Sequence, residues 1–186
     1  MQREGSELNE RARWRDDLLV RAARDGNREA ARRLVRAHHR AMMAHAMRLT
    51  GNRADAEDAV QGAWHEIFSR LDRLRDPRAF RAWAYRIVTG KAGRQMRREM
   101  ADRRRDEEMP EPEAPPSPET VAAHGELHEA IAALPPAHRA AIALFYLEGF
   151  SVAEVAIALE IPVGTAKTRL MNARARLRAA YEGDDT

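Results

Sequence analysis

The stretch SVAEVAIALEIPVGTAKTRL, residues 151–170, has the pattern of two short helices joined by a tight turn. Ser151 and Glu154 form the S-x-x-E capping box that marks a helix start. The residues EIP, 160–162, supply the turn. In the second helix the apolar positions recur every three or four residues, which predicts a buried stripe. The members of the stripe are Val163, Ala166, Leu170, Ala173 and Leu177.

The other side of this second helix is polar and basic. The stripe places six residues outward: Thr165, Lys167, Thr168, Met171, Asn172 and Arg174. A capped short helix, a turn and a longer helix of this kind predict a helix-turn-helix, whose second helix enters the DNA major groove. Lysine and arginine can contact guanine edges or phosphates, and asparagine can pair with adenine. An ordinary helical hairpin with a solvated face has the same pattern, so both interpretations stay open on this pattern alone.

The composition is that of a soluble, cysteine-free protein. The chain has 186 residues, of which 44% are hydrophobic and 33% are charged, enough for one ordinary domain or two small ones. It contains no cysteine, which excludes disulfides and thiolate metal sites. It has no apolar run of about 18 residues, and the segment MQREGSELNE lacks the apolar stretch of a secretory signal. We therefore expect a cytoplasmic protein without membrane insertion.

Charge is unevenly distributed along the chain. Residues 1–109 carry 26 Lys and Arg against 18 Asp and Glu, whereas residues 110–130 carry five acids and no base. A basic first part suits a polyanionic partner, although arginine-rich solvated helix faces give the same count. The segment DEEMPEPEAPPSPET, residues 106–120, mixes prolines and acids without apolar periodicity, which is typical of an extended linker.

These observations predict an all-α protein built from two small helical domains, the second containing the helix-turn-helix. The first domain covers residues 1–105, the Pro- and acid-rich linker covers 106–118, and the second domain covers 119–186. Because the linker is too polar to pack, we expect the two domains to be joined flexibly in the free chain and held together only by a partner. No segment alternates with period two, so no sheet is expected.

Helix signals in the first domain are clear. Asn52 and Asp55 fit a cap and its reciprocal partner at the start of a third helix. Its apolar stripe is Ala56, Val60, Ala63, Trp64, Ile67, Leu71 and Leu74. Asp76 and Pro77 suit the start of a fourth helix. That helix directs Phe80, Trp83, Ala84 and Ile87 inward.

Three segments, taken in order, resemble one bacterial family. The segments are GNRADAEDAVQGAW (51–64), FRAWAYRIV (80–88) and LPPAHRAAIALFYLEGFSVAEVAIALEIPVGTAKTRLMNARARLR (134–178). Together they resemble an extracytoplasmic-function (ECF) sigma factor over about residues 15–181. The resemblance implies a promoter-recognition subunit that binds core RNA polymerase and has no catalytic activity of its own. The residues themselves show no metal-ligand pattern, so no metal or cofactor is expected. It implies contacts with the clamp of the largest polymerase subunit, the flap of the second-largest subunit, promoter DNA and an anti-sigma protein.

The resemblance also implies a role for three groups of residues. The polymerase-binding group is Asp55, Glu57, Asp58 and Gln61, although Asp55 is equally well explained by helix capping. The group for binding and opening the promoter −10 element is Arg78, Phe80, Tyr85, Arg86, Lys91, Arg94, Arg97 and Arg98. The group for reading the −35 element is Thr165, Lys167, Thr168, Arg169, Met171, Asn172 and Arg174. Within the −10 group Tyr85 and Arg86 are expected to point away from the core, whereas Trp83 is better explained by core packing than by base stacking.

The chain departs from the family at a few positions. Gly62 and Arg94 stand where relatives carry an acid, and Gly90 stands where they carry asparagine. With Gly93, Gly90 places two glycines in one helical turn, which predicts a weak point or kink in the fourth helix. An altered −10 preference, or a sigma-like mimic that binds an anti-sigma protein without opening DNA, would both fit. A polymerase-independent helix-turn-helix regulator is the remaining alternative.

Overall fold

The computed structural model describes residues 14–105, 130–131 and 133–182, with only the backbone of 95–105 and 181–182. The predicted linker, 106–118, lies outside the described residues. Within the described ranges there is no strand, so the all-α prediction is confirmed. The helices are α1 (14–24), α2 (Arg28–Thr50), α3 (Arg53–Arg70), α4 (Phe80–Arg105), α5 (Pro136–Ile142), α6 (Val152–Ala158) and α7 (Val163–Glu182). Two 3-10 turns, Leu71–Arg73 and Pro77–Ala79, connect α3 to α4, and a π-helical turn, Ala143–Leu147, continues α5.

The ends of the helices follow the predicted capping signals. The Asn52 side chain accepts a hydrogen bond from the Asp55 backbone N–H at 2.9 Å and so starts α3. Ser151 and Glu154 make both hydrogen bonds of the capping box at the start of α6. Gly51 ends α2 with a φ of 79°, a left-handed conformation that glycine adopts without steric cost.

The first core lies among α2, α3 and α4, which pack against one another. All seven residues of the predicted α3 stripe are buried. α1 is tied to this core by Arg24, whose guanidinium donates to the carbonyl oxygens of Leu71, at 2.9 Å, and Leu74. α4 continues without interruption through Gly90 and Gly93, contrary to the predicted weak point. Val88 and Ala92, which come before and after Gly90, are completely buried, and such tertiary packing supplies most of a helix's stability in a folded protein.

His45 is a fully buried polar residue in this core. The Thr89 hydroxyl donates to the carbonyl oxygen of Tyr85 at 2.9 Å, so it accepts from the His45 Nε2–H, also at 2.9 Å. His45 Nδ1 has no hydrogen-bond partner, and a proton added there would be a buried donor without an acceptor. Burial, reinforced by the charge of Arg48, lowers the pKa of His45 to about 3.

This histidine should make the stability of the protein sensitive to acid. Its folded pKa lies below the ordinary 6.5, so its contribution is complete above pH 6.5 and is lost as the pH falls toward about 3. The slope of the unfolding free energy should approach about 1.4 kcal/mol per pH unit in that window. We expect His45→Gln to flatten the curve between about pH 6.5 and about pH 5 in urea titrations. Equal slopes for the variant and the parent would contradict a neutral buried His45.

The second core lies among α5, α6 and α7. Val155 and Ala156 of α6 and Leu159, its C-cap, are buried, and Val152 at the start of α6 is half-buried. In α7 the buried stripe is Ala166, Leu170 and Ala173, with Leu177 half-buried. Val163 differs from the prediction: it is 45% exposed, because it is the first residue of α7 and the buried stripe begins one turn later.

The two cores are in contact, which the sequence does not predict. α6 packs against α4, and α5 packs against α2. We call α1–α4 the first unit and α5–α7 the second unit. The expectation that the two domains are flexibly joined therefore does not describe this arrangement. The contact is made by side chains whose partners lie more than 60 residues away, and no helix-by-helix pattern contains that information.

Candidate functional site

A wide groove lies between α2 and α3 on the first unit. Its volume is about 980 Å³. Its floor contains Trp64 and Phe68, whose rings stack with centroids 5.6 Å apart, and Trp64 Nε1 donates to His39 Nδ1 at 3.3 Å. Phe68 is 39% exposed and, with Trp64 and the lining methionines, makes the groove a largely apolar surface. The full lining is Val35, His39, Arg40, Met43, Met47, Arg53, Glu57, Gln61, Trp64, His65 and Phe68.

Three of the four predicted polymerase-binding residues lie on the exposed face of α3. Glu57 and Gln61 line the groove, and Asp58 is exposed beside them. Glu57 accepts from Arg53 Nε at 2.7 Å, a pair between exposed side chains. Asp55 does not belong to this face. It is buried, and its carboxylate accepts from the Asn52 side-chain amide, so the structure assigns it to helix capping.

Two predicted −10 residues on α4 are buried: Phe80, which the apolar spacing already directs inward, and Tyr85, which the sequence predicts to point away from the core. Phe80 is completely buried, with its ring 5.4 Å from that of His38, so it is a core residue. Tyr85 is only 1% exposed, and its hydroxyl donates to Glu148 Oε2 at 3.0 Å. Burial, together with the Glu148 carboxylate, raises the pKa of Tyr85 well above its ordinary value. Tyr85 does not point away from the core as predicted: its ring lies between the buried His45, 5.2 Å away, and Phe150 of the second unit, edge-on at 5.1 Å.

Arg81, one turn before Tyr85, anchors the same contact. Its Nη2 donates to the Glu148 carbonyl oxygen at 2.6 Å and lies 3.8 Å from Glu148 Oε2. Its guanidinium lies over the Phe150 ring, 4.7 Å from the centroid. Sequence reasoning missed Glu148 and Phe150, because the residues EGF that include them have only the pattern of a turn.

A second polar cluster adjoins this contact. Arg86 Nε donates to Glu160 Oε1 at 2.9 Å, across the same boundary between the units. The cluster surrounds a cavity of about 270 Å³. The cavity is lined by Glu66, Arg70, Trp83, Arg86, Ile87, Gly90, Arg94 and Glu160. Trp83 is half-buried and packs against the core, as its interpretation as a core residue predicts.

The remaining −10 residues differ in their surroundings. Lys91 Nζ lies 3.0 Å from Glu66 Oε2, and this contact lowers the pKa of Glu66. The Lys91 side chain crosses Gly62, where an added Cβ would lie 3.6 Å from its Cδ, an ordinary van der Waals contact, so space alone does not require glycine at this position. Arg78 is exposed with its guanidinium 4.2 Å from the Trp14 ring centroid, and Arg94 is exposed. The side chains of Arg97 and Arg98 lie outside the described residues.

The outer face of α7 is largely accessible. Lys167, Met171 and Asn172 are exposed, with Met171 at 60%. The exposed Thr168 donates its hydroxyl hydrogen to the Gly164 carbonyl oxygen at 3.1 Å. Thr165 and Arg169 are half-buried, so they are less accessible than predicted.

Arg174, at the far end of this face, is already engaged. Its Nε donates to the Tyr146 hydroxyl at 2.8 Å, and its guanidinium lies about 5.5 Å from the Phe145 and Tyr146 rings. Tyr146 and Leu147 are both more than half exposed on the π-helical turn. They form a second accessible apolar patch, which sequence reasoning did not single out.

Two absences hold for the part of the chain that the structure describes. There, no three His, Asp or Glu side chains are grouped so as to hold a metal ion. None of the helices in that part is both long and apolar enough to span a bilayer.

Comparisons with known proteins match this arrangement. Residues 34–104 match the family described as Sigma-70 region 2, and residues 124–177 match Sigma-70, region 4. The ECF RNA polymerase sigma factor SigW of Bacillus subtilis is 32% identical over 145 residues, which cover 70% of this chain and 78% of SigW. SigE of Mycolicibacterium smegmatis, also an ECF sigma factor, is 34% identical over 154 residues, 78% of this chain; the chain spans 59% of its length.

Solved structures share the fold. CnrH, in complex with the cytosolic domain of CnrY, is 26% identical with a TM-score of 0.63, over 91% of this chain and 99% of CnrH. The sigma factor RpoE of Bartonella quintana, in complex with the anti-sigma factor NepR, has a TM-score of 0.68 at 23% identity, over 81% of this chain and 96% of RpoE. With two sigma regions in order and relatives at this level of identity, the chain belongs to the ECF group of RNA polymerase sigma factors.

Proposed function

We propose that this chain binds core RNA polymerase and directs it to specific promoters as an alternative sigma factor, without catalysing a reaction itself. The observation that carries the proposal is the exposed polar face of α7, the second helix of a helix-turn-helix whose first helix, α6, begins with a complete capping box. The groove between α2 and α3 provides a separate surface for a protein partner. We divide the chain into region 2 (1–105), a linker (106–118) and region 4 (119–186). Because its polymerase partner is cytoplasmic, we place its action in the cytoplasm.

The groove between α2 and α3 is the proposed site for the polymerase clamp. Glu57, Asp58 and Gln61 provide carboxylate and amide groups that suit basic partner side chains. The Trp64 and Phe68 rings provide an apolar floor of the kind that anchors an interface. An amphipathic partner helix with basic residues along one edge has the complementary shape and charge.

Strand opening at the −10 element is assigned to basic side chains on α4 and in the 3-10 turn before it. Arg78, Arg86, Lys91 and Arg94 are the candidates for contacts with the unpaired strand, and Tyr85 is the candidate for base stacking. Tyr85 and Arg86 become available only when region 4 leaves α4, because Glu148 and Glu160 now engage them. Arg97 and Arg98 are the remaining candidates for contacts with the unpaired strand.

Region 4 is proposed to carry two interfaces. The outer face of α7 reads the −35 element, with Lys167 and Thr168 at the centre of the exposed surface. The accessible Tyr146 and Leu147 suit the apolar contact expected for the polymerase flap. The two surfaces meet at Arg174, which hydrogen-bonds to Tyr146 and sits on the DNA-facing helix.

Substitutions on α7 should separate base contacts from phosphate contacts. We expect Lys167→Ala to relax preference at one −35 position, at a cost of roughly 1–3 kcal/mol for the preferred base. We expect Arg174→Ala to weaken binding to all sequences alike and to lower the salt slope by about one unit. The measurement is promoter binding by the assembled holoenzyme, across single-base −35 variants and several salt concentrations. If Lys167→Ala lowers affinity equally for every variant, its base-reading role is wrong.

An anti-sigma protein is the expected regulatory partner. CnrH and RpoE, whose folds this chain shares, were each solved in complex with another protein, which in the case of RpoE is an anti-sigma factor. A sigma-like mimic that only binds such a protein is the second candidate function. The burial of Tyr85 favours it, because a mimic has no need of an exposed stacking residue. Run-off transcription with core polymerase on the promoter upstream of the chain's own gene distinguishes the two: a sigma factor yields a discrete transcript, and a mimic does not.

A further inference from the structure

We propose that region 4 is an intramolecular latch on region 2, in which Glu148 engages Arg81 and Tyr85 and Glu160 engages Arg86, so that Tyr85 and Arg86 are kept from DNA in the free chain. The inhibitory role of the latch rests on the proposed sigma function; its existence as a contact does not. The contact involves two acids on one unit and two arginines and a tyrosine on the other.

Glu148 lies at the enclosed centre of the contact. The side chains of Arg81 and Glu148 are 14% and 15% exposed, so water screens their attraction only in part. Tyr85 donates to the same carboxylate, and Phe150 fills the space beneath the Arg81 guanidinium. Burial lowers the pKa of the neighbouring Arg48, and the negative charge of Glu148 opposes that shift. Removing the carboxylate would therefore leave enclosed arginines without their counter-charge.

Glu160 lies at the edge of the contact in a backbone conformation that a glutamate rarely adopts. Its φ is 53°, in the left-handed region that glycine and asparagine tolerate best. A residue held in this region is strained unless its surroundings compensate. Here Glu160 directly follows the C-cap of α6. Its N–H donates to the Ile157 carbonyl oxygen at 3.2 Å and the Ile161 N–H donates to the Ala156 carbonyl oxygen at 3.0 Å, and these backbone bonds hold the left-handed conformation. The turn places the Glu160 carboxylate 2.9 Å from Arg86 Nε, a pair between exposed side chains.

The latched arrangement and promoter binding exclude each other. Elements at −10 and −35 are about 25 base pairs apart, or roughly 85 Å along the DNA axis at about 3.4 Å per pair. A chain whose α6 packs on α4 cannot place one unit at each element. Glu160 also competes directly with DNA phosphates for Arg86, because both would use charge-assisted hydrogen bonds to the same guanidinium group.

The test uses the full chain and its lack of cysteine. Spin labels are attached to cysteines introduced by Ala37→Cys on α2 and Ala175→Cys on α7, both exposed positions. Double electron–electron resonance then measures the distance between the two labels and so between the units. The test variant adds Glu148→Gln and Glu160→Asn; neither acid belongs to the proposed DNA-binding groups, and asparagine tolerates the left-handed backbone. The matched control adds Glu29→Gln, which removes an exposed acid of region 2 that pairs only with side chains of its own helix in the described contacts.

We expect one narrow distance for the parent and the control, and for the variant a broad distribution with a roughly tenfold larger open fraction. Run-off transcription at limiting chain concentration should rise several-fold for the variant. A broad distribution for the parent, or a narrow one for the variant, would overturn the latch. Opening without a gain in transcription, when the parent is active, would overturn its inhibitory role. If no protein supports transcription, the proposed function fails, and the distances still decide whether the latch exists.

Discussion

Reversing the charge of Asp58 with arginine should lower the affinity of the chain for core polymerase by at least roughly 30-fold, or about 2 kcal/mol. Asp58 is exposed on α3 beside the groove, so the substitution places a cation where the proposed clamp surface is basic. Folding should be spared, because the side chain is exposed and the α3 cap is formed by Asn52 and Asp55. The helical circular dichroism should therefore stay unchanged while polymerase binding is lost.

The matched control for this prediction is Asp72→Arg. Asp72 is also exposed and lies in the 3-10 turn after α3, away from the groove lining, and its substitution changes the net charge equally. Binding is measured by titrating labelled chain with core polymerase at one fixed salt concentration. Equal affinity for Asp58→Arg and the parent would remove Asp58 from the interface. An equal loss for Asp72→Arg would indicate a long-range charge effect instead of a contact.

The second large effect concerns stability. Ile67→Ala should lower the free energy of unfolding by about 2–5 kcal/mol, because Ile67 is completely buried in the α3 stripe and its truncation leaves a cavity. The melting temperature should fall by roughly 5–15 °C. Ile157→Ala is the same chemical change on α6, where Ile157 is 48% exposed, and it should shift the melting temperature by only a degree or two, about 0.5 kcal/mol or less. Similar shifts for both variants, by calorimetry, would contradict the assigned core.

Local features of the fold could be predicted because local sequence determines them. The caps at Asn52 and Ser151 are hydrogen bonds between residues three apart, and both form as the sequence predicts. The α3 stripe is also local, since residues at helical spacing share one face whatever covers it. The choice between helix capping and polymerase binding for Asp55 is also decided locally. Its carboxylate accepts a hydrogen bond from the capping Asn52 and is buried.

The contact between the units could not be predicted in the same way. The outer face of α4 carries Arg81, Tyr85 and Arg86, and its polarity is that of a solvated or nucleic-acid-binding surface. In the structure this face is covered by Glu148 and Glu160, which lie 63 and 74 positions further along the chain from their partners Tyr85 and Arg86. The left-handed backbone of Glu160 is a local feature of the contact. It could not be predicted, because it appears in the backbone angles and the residue type at that position is not one that favours it.

Run-off transcription tests the central claim most directly. The reaction contains the full chain, core RNA polymerase from the bacterium that encodes it, and a linear template with the promoter upstream of the chain's own gene. If the chain is a sigma factor that opens promoters, a discrete transcript should start just downstream of the −10 element, only when both proteins are present. Substituting either promoter element should abolish it. The absence of any discrete transcript, from a chain that still binds core polymerase and folds normally, would contradict the account.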